Sequence, residues 1–242
     1  PTAQFYRVTT DNHFPFRIYA AQQDNSTIRI NHRSAGRSIG ESDWESTAGG
    51  ESAHIAIDPL NNEIVYGGSY DGFLSRVNHA TKSLRSISVW PDNPMGHGAE
   101  GMKYRFQWNF PIIFSKHNPK KLYTFSNQVH VTENEGQSWK IISPDLTRND
   151  PEKLKSSGGP ITQDNTSVEY YCTIFAAQES SLKEGLIWVL YGSRQVLQNS
   201  LKLDIKVGEK FAKNEMIMGG RYQISKTTGN MMGMPFEGMS LV

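Results

Sequence analysis

The sequence has a single cysteine, no long hydrophobic run and almost no helical periodicity. Because Cys172 stands alone, an internal disulfide is excluded, and within EYYCTIFAA it is expected to pack as a small hydrophobic residue. No apolar run approaches the roughly 20 residues of a membrane-spanning helix, so we expect no membrane span. The net charge is +1 at pH 7, which favours neither nucleic acid nor an anionic membrane as a partner.

Metal-ligand spacings and cofactor motifs are also missing. The seven histidines are scattered, and Asp145, Asn149 and Asp150 lack the spacing of an EF-hand loop. No glycine-rich loop carries the lysine and following helix of a phosphate site. We therefore expect neither a metal nor a cofactor. The chain begins at Pro1 without a signal-like segment, so we expect a processed, trimmed or partial sequence.

A repeated pattern of short β-type runs fills most of the chain. Four runs share an apolar pair, an aromatic residue, small residues at a turn and an alternating strand: FRIYAAQQDNSTIRI, NEIVYGGSYDGFLSRV, KKLYTFSNQVHVTE and GLIWVLYGSRQV. Their aromatic anchors are Tyr19, Tyr66, Tyr123 and Trp188. A period of about 50 residues with several strands per unit predicts an all-β chain with about four blades of a partial β-propeller. A non-repeating β-sandwich is the alternative.

The stretch VTENEGQSWK predicts a rigid hairpin. Asn134 can close a turn with its side chain, Gly136 can adopt a positive φ, and Ser138 can bond to neighbouring backbone. Trp139 then returns a large ring to the core. From Thr132 to Trp139 the run resembles a degenerate Asp-box, the structural hairpin of sialidase-type and sortilin-like propellers, with Asn134 replacing the usual Asp and Ser138 the usual Thr.

A longer resemblance covers residues 4–188. The segments ESAHIAIDP, VWPDNPMGHG, YRFQWNFPIIFS and ISPDLTRNDPEKL occur in the order found in bacterial exported, sortilin-like Asp-box repeat proteins catalogued as glycosyl-hydrolase-like. Those relatives are expected to be longer, so this chain would supply only some of the blades. The resemblance implies a secreted, periplasmic or outer-membrane-associated bacterial protein. Its partner would be a glycan or peptide ligand, or a larger cell-envelope assembly.

The end of the chain follows a different pattern. The run NEMIMGGRYQISKTTGNMMGMPFEGMSLV is rich in methionine and resembles part of a bacterial domain of unknown function, expected to be a small β-barrel. We therefore predict a propeller unit over residues 1–195 and a β-rich tail of different origin over residues 196–242. A divergent last blade is the alternative for this tail.

One carboxylate stands out as a candidate for catalysis. Glycoside hydrolysis needs two carboxyl groups on either side of the scissile bond. The turn GSYDGFLSR resembles a turn that carries an acidic catalytic residue in Asp-box xyloglucanases, which makes Asp71 the candidate acid or base. Its partner is predicted to be Glu169, with Asp164, Glu51 and Glu100 left open. An ordinary Asp-Gly turn is the alternative.

The run YRFQWNF suggests a binding surface. Read as a strand, it places Tyr104, Phe106 and Trp108 on one face, as a sugar platform or blade core, and the polar residues on the other. The predicted ligand-binding residues are Arg105, Gln107, Asn109 and Trp108. The sequence thus favours a binding scaffold for a glycan, peptide or partner protein. A glycoside hydrolase with a carboxylate pair including Asp71 is the alternative.

Overall fold

The computed structural model describes residues 3–52, 54–161, 163, 165, 166, 168, 170–193, 196–203, 224–231 and 234–241, with the backbone alone beyond Tyr191. Helical structure in these residues is limited to three short 3-10 turns, Glu41–Asp43, Tyr70–Gly72 and Ala99–Gly101, and one helical turn, α1, Pro151–Leu154. No helix in this part of the chain is long and apolar enough to cross a membrane.

The strands form consecutive antiparallel sheets in which spatial order equals chain order. Blade 1 contains β1 (Phe5–Thr10), β2 (Arg17–Gln22), β3 (Thr27–Asn31) and β4 (Trp44–Ser46). Blade 2 contains β5 (Ile55–Ile57), β6 (Ile64–Gly68), β7 (Leu74–Asn78) and β8 (Ser83–Ser86). Blade 3 contains β9 (Ile112–Phe114), β10 (Leu122–Phe125), β11 (Val129–Thr132) and β12 (Lys140–Ile141). Blade 4 contains β13 (Thr173–Glu179), β14 (Ile187–Ser193) and β15 (Val196–Leu203).

A separate hairpin, β16 (Ile224–Met231) and β17 (Met234–Leu241), ends the chain. The predicted domain boundary at residues 195 and 196 lies between β14 and β15, which pair with one another. The division into two units of different origin stays a prediction. The predicted fold class, propeller blades followed by a C-terminal β fragment, is confirmed by the sheets themselves.

The hydrophobic core is divided among the gaps between neighbouring blades, as expected for sheets that are stacked radially. Tyr19 of blade 1 packs with Val65 of blade 2. Tyr66 of blade 2 belongs to a second cluster with Leu122 of blade 3. A third cluster joins Tyr123 of blade 3 to the face of blade 4. Two sheets packed face to face would have one shared core, so the sandwich alternative is wrong.

Neighbouring residues on the second strand of a blade face opposite neighbours because side chains alternate across a strand. Val65 faces blade 1, whereas the adjacent Tyr66 faces blade 3. In the next blade, Leu122 faces blade 2 and Tyr123 faces blade 4. The aromatic anchors therefore point towards the following blade, and an aliphatic residue just before each anchor faces the preceding blade.

Each hairpin between the third and fourth strands contacts the preceding blade just after its last strand. In the first gap, Thr47 Oγ1 and His79 Nε2 are 2.8 Å apart. In the second, Trp139 Nε1 donates to the carbonyl oxygen of Ile87 at 2.7 Å. Arg85, at the end of blade 2, also donates to the Glu135 carbonyl at 2.7 Å. We call these contacts the inter-blade latches.

Ion pairs centred on the buried Arg17 reinforce the gap between blades 1 and 2. The Arg17 guanidinium lies 2.7 Å from both Asp11 Oδ2 and Glu63 Oε1, and Tyr19 donates to Asp11 Oδ2 at 2.9 Å. Burial alone would raise the pKa of Asp11, but hydrogen bonds from Arg17 and Tyr19 outweigh it and lower the pKa. The pKa of Glu63 is lowered in the same way: burial opposes ionisation, while Arg17 and Arg29 favour it.

Candidate functional site

One end of the blades carries the connections from each blade to the next. Because the strands run antiparallel, the turn between the second and third strands emerges at the same end as the connection to the next blade. This end, which we call the loop face, comprises residues 23–26, 47–52, 69–73, 87–111 and 126–128 and the described part of 142–172. Long structured loops on a rigid scaffold are where binding and catalytic groups concentrate.

Asp71 lies on the loop face in the turn between β6 and β7. The turn is tight: Asp71 has φ +58° and Gly72 has φ +78°. Gly72 is required for a second reason, because a Cβ there would overlap the Phe106 ring. Asp71 is only 8% exposed, so Phe106 and the loop that carries it close over the turn.

A stacked aromatic pair lies beside Asp71. The rings of Tyr70 and Trp108 are 5.3 Å apart at 18° to one another, and Phe73 meets Tyr70 edge-on at 5.9 Å. The Trp108 indole N–H has no hydrogen-bond partner among the described residues. The sequence predicted Trp108 but missed Tyr70, whose only signal was its position next to Asp71.

Arg105 holds the two long loops of this face together. Its guanidinium donates to Asp145 Oδ2 at 2.6 Å and to the Cys172 carbonyl at 3.3 Å. Its backbone N–H donates to Asn127 Oδ1 at 3.1 Å, and Asn127 in turn donates to Asp145 at 2.8 Å. Burial opposes ionisation of Asp145, but hydrogen bonds from Thr147, Asn127 and Arg105 lower its pKa. Arg105 is 6% exposed, so its charge organises the loops from within.

The prediction that YRFQWNF forms an alternating strand is wrong. Residues 103–110 form bends and a turn, in which the Phe110 N–H donates to the Gln107 carbonyl at 3.1 Å. Arg105 and Phe106 are both buried although they are adjacent, because one is anchored by Asp145 and the other covers the Asp71 turn. Of the predicted ligand set, Gln107, Trp108 and Asn109 are half-buried on the loop face. The Gln107 Oε1 accepts from the Asn109 N–H at 2.5 Å.

The hairpin over residues 132–139 lies at the opposite end of blade 3. Thr132 Oγ1 accepts the N–H groups of Asn134 and Gly136, at 3.3 and 3.0 Å. The Asn134 side chain accepts the Ser138 N–H at 3.0 Å and donates to the Ser138 hydroxyl at 2.9 Å. These bonds are internal, and Trp139 faces blade 2. The hairpin therefore serves the inter-blade latch.

The carboxylates considered as partners for Asp71 are placed as follows. Glu51 lies on the loop face and accepts the Asp24 N–H at 2.9 Å. Glu100 is exposed in the 3-10 turn of the 87–111 loop. Glu169 and Asp164 lie outside the described residues. The pairing of Asp71 with Glu169 therefore stays a prediction.

A cavity of about 440 Å³ opens where the first strands of three blades, β1, β5 and β9, converge. It is bordered by Arg7, His54 and aliphatic residues. The His54 Nε2 has no hydrogen-bond partner among the described residues. Burial, with a smaller contribution from the charge of Arg7, lowers the pKa of His54 to about 3, so the imidazole is neutral at physiological pH. No group of three potential metal ligands occurs in the described part of the chain.

Comparisons with known proteins add limited information. No protein-family model and no curated protein matches the sequence. Among solved structures, a GH74 xyloglucanase from Xanthomonas campestris aligns with 73% of this chain and 24% of its own, at 14% identity and a TM-score of 0.44. The extracellular domain of a proposed hybrid two-component system from B. thetaiotaomicron aligns with 78% of this chain and 26% of its own, at 16% identity and a TM-score of 0.40.

The chain spans about a quarter of the length of both solved proteins. Because both TM-scores are below 0.5, the activity of neither solved protein is assigned to this chain. The blades, the inter-blade clusters and the loop face described above define the class instead: a partial β-propeller whose elaborated loops cover one end of its blades.

Proposed function

We propose that the chain is a binding scaffold of an exported propeller and that its loop face holds a glycan. Glycan sites combine flat aromatic platforms with planar polar side chains in a shallow groove. Tyr70 and Trp108 provide the stacked aromatic pair. Gln107 and Asn109 supply amide groups on the same loop, and both are half-buried.

The observation that carries this proposal is the stacked Tyr70–Trp108 pair, whose two residues are both partly exposed on the loop face. A partly exposed aromatic ring offers an apolar platform on which a sugar ring can stack. The surrounding loops are already fixed by Arg105 and Asp145. Binding would therefore require little ordering of the protein, which favours affinity.

A glycan array followed by titration calorimetry tests this proposal. Replacing Trp108 with alanine should weaken binding of any retained glycan about tenfold, because losing one aromatic platform costs about 1.5 kcal/mol. The matched control is Phe14→Ala, since Phe14 is 93% exposed and lies at the opposite end of the blades. Equal affinity in the two variants would contradict the proposed site.

A glycoside hydrolase is the second candidate, and the position of Asp71 favours it. The carboxylate sits in a strained turn beside the aromatic pair, in the neighbourhood where a bound sugar would lie. The burial of Asp71 argues against a hydrolase, because a catalytic carboxylate must reach the glycosidic oxygen. Asp71→Asn should abolish hydrolysis of plant or microbial glycans while leaving glycan binding in place. Activity that survives this substitution would remove Asp71 from the mechanism.

A further inference from the structure

Four short turns surround one opening at the end of the blades opposite the loop face. They join the first and second strands of the four blades and comprise residues 11–16, 58–63, 115–121 and 180–186. A cavity of about 300 Å³ is bordered by Asn12, Pro59 and Lys116, which belong to the first three turns, and by Gln178, which lies just before the fourth. The four turns therefore form a common surface, which we call the rim.

The rim carries three strongly exposed apolar side chains. Phe14 is 93%, Leu60 70% and Leu182 94% exposed. They are three of the five most exposed large apolar side chains among the described residues, and grouped exposed apolar side chains mark an interaction site. Because each lies on a different turn, the three side chains surround the opening and do not line one continuous groove.

Hydrogen bonds within the turns hold two of these apolar residues in place. Asp58 Oδ1 accepts the Leu60 N–H at 2.8 Å, and Ser180 Oγ accepts the Leu182 N–H at 3.1 Å. Side chains that close their own turn in this way fix the backbone locally. A partner that contacts the rim would therefore meet side chains that need little further ordering.

The free charges of the rim are mainly positive. Lys116, Lys120 and Lys183 are exposed, and they form no ion pair within the described part of the chain. The four carboxylates of the rim are engaged in ion pairs or in hydrogen bonds of a turn: Asp11, Asp58, Glu63 and Glu184. The net charge of +1 for the whole chain conceals this grouping.

We propose that the rim docks on an anionic lipid surface. Isolated apolar side chains enter the boundary between headgroups and acyl chains, while neighbouring lysines contact the anionic headgroups. A protein partner fits less well, because protein interfaces have a continuous apolar core and are depleted in lysine. The contact uses exposed side chains alone, so no hydrogen bond between blades has to be displaced. Docking does not depend on the proposed glycan site, which would point away from the lipid on the loop face.

Co-sedimentation of the full chain with lipid vesicles tests this proposal. Vesicles of phosphatidylcholine with about one-third phosphatidylglycerol should bind the chain at least about tenfold more tightly than vesicles of phosphatidylcholine alone, because the free lysines act only on an anionic surface. Raising sodium chloride from about 0.05 to about 0.5 M should weaken this binding, because salt screens the attraction between lysines and headgroups.

Two pairs of variants separate the apolar and the charged contributions. Leu182→Ser should weaken binding to the anionic vesicles at least about fivefold, whereas Ile161→Ser should not, because Ile161 is 97% exposed on the loop face. Lys120→Glu should weaken binding at least about tenfold. Its control is Lys155→Glu, which makes the same change in net charge on the loop face and should have little effect. Far-UV circular dichroism confirms that each variant is folded.

Several results would overturn the proposal. Equal binding to the two kinds of vesicle would exclude recognition of an anionic surface. Absence of binding to either kind would indicate that the exposed apolar side chains of the rim contact a protein instead. Anionic vesicles that bind Leu182→Ser or Lys120→Glu as tightly as the unaltered chain would place the contact outside the rim. Glycan binding is measured without lipid, so none of these results decides the proposed glycan site.

Discussion

The hairpin over residues 132–139 offers the sharpest test of how the blades are held together. Gly136 has φ +76°, and a Cβ built on it would lie 2.7 Å from the Ile87 Cβ in blade 2. Gly136→Ala therefore adds two costs. The left-handed backbone costs an alanine about 1–2 kcal/mol, and forcing a methyl group into a packed contact costs about 1–3 kcal/mol. The free energy of unfolding should fall by about 2–5 kcal/mol.

Two other glycines separate these contributions. Gly96 has φ +82° and nothing within 4 Å of its ideal Cβ, so Gly96→Ala measures the backbone cost alone. Gly101 has open space and no positive φ, so Gly101→Ala should change stability by less than about 0.5 kcal/mol. The assay is urea unfolding followed by fluorescence, with stabilities compared at a shared m-value. If Gly136→Ala and Gly96→Ala lose the same stability, the contact between the hairpin and Ile87 contributes nothing.

Two further predictions concern the contacts between blades. Trp139→Phe keeps an aromatic ring, though a smaller one, and leaves the buried Ile87 carbonyl without its donor, so the free energy of unfolding should fall by about 1–3 kcal/mol, as measured by urea titration. The folded-state pKa values of Asp11 and Glu63 are lowered, so their stabilisation is present above their unfolded pKa, about 4, and is lost as the pH falls through the folded values. Glu63→Gln should flatten the fall in unfolding midpoint below pH 4, whereas Glu152→Gln, at an exposed ion pair, should not.

The blade pattern could be predicted from the sequence because its signals are local. Each unit repeats an aromatic anchor followed by small residues and an alternating strand, and this order alone sets which side chains share a face. Tyr19, Tyr66 and Tyr123 accordingly lie on second strands and are buried. The sequence could not show which blade each tyrosine faces, since that depends on contacts with a neighbouring sheet.

The loop face was harder to predict because its order comes from distant partners. Arg105 is fixed by Asp145, 40 positions away, and by the Cys172 carbonyl, 67 positions away. Without those partners the alternation of YRFQWNF resembles that of a strand. The run is instead a loop whose polar and apolar side chains are buried in different places. Alternation indicates a strand only when one sheet face supplies all the burial.

The polar groups of the two blade ends are used differently, and this difference supports placing the ligand on the loop face. At the hairpin end, Thr132, Asn134 and Ser138 hydrogen-bond with one another, and the Trp139 N–H already donates to the Ile87 carbonyl. At the loop end, Arg105 and Asp145 are paired beneath the surface, while the stacked rings of Tyr70 and Trp108 are partly exposed. A ligand at the hairpin end would have to displace bonds that join blades. A ligand at the loop end would complete a site that the fold has already fixed.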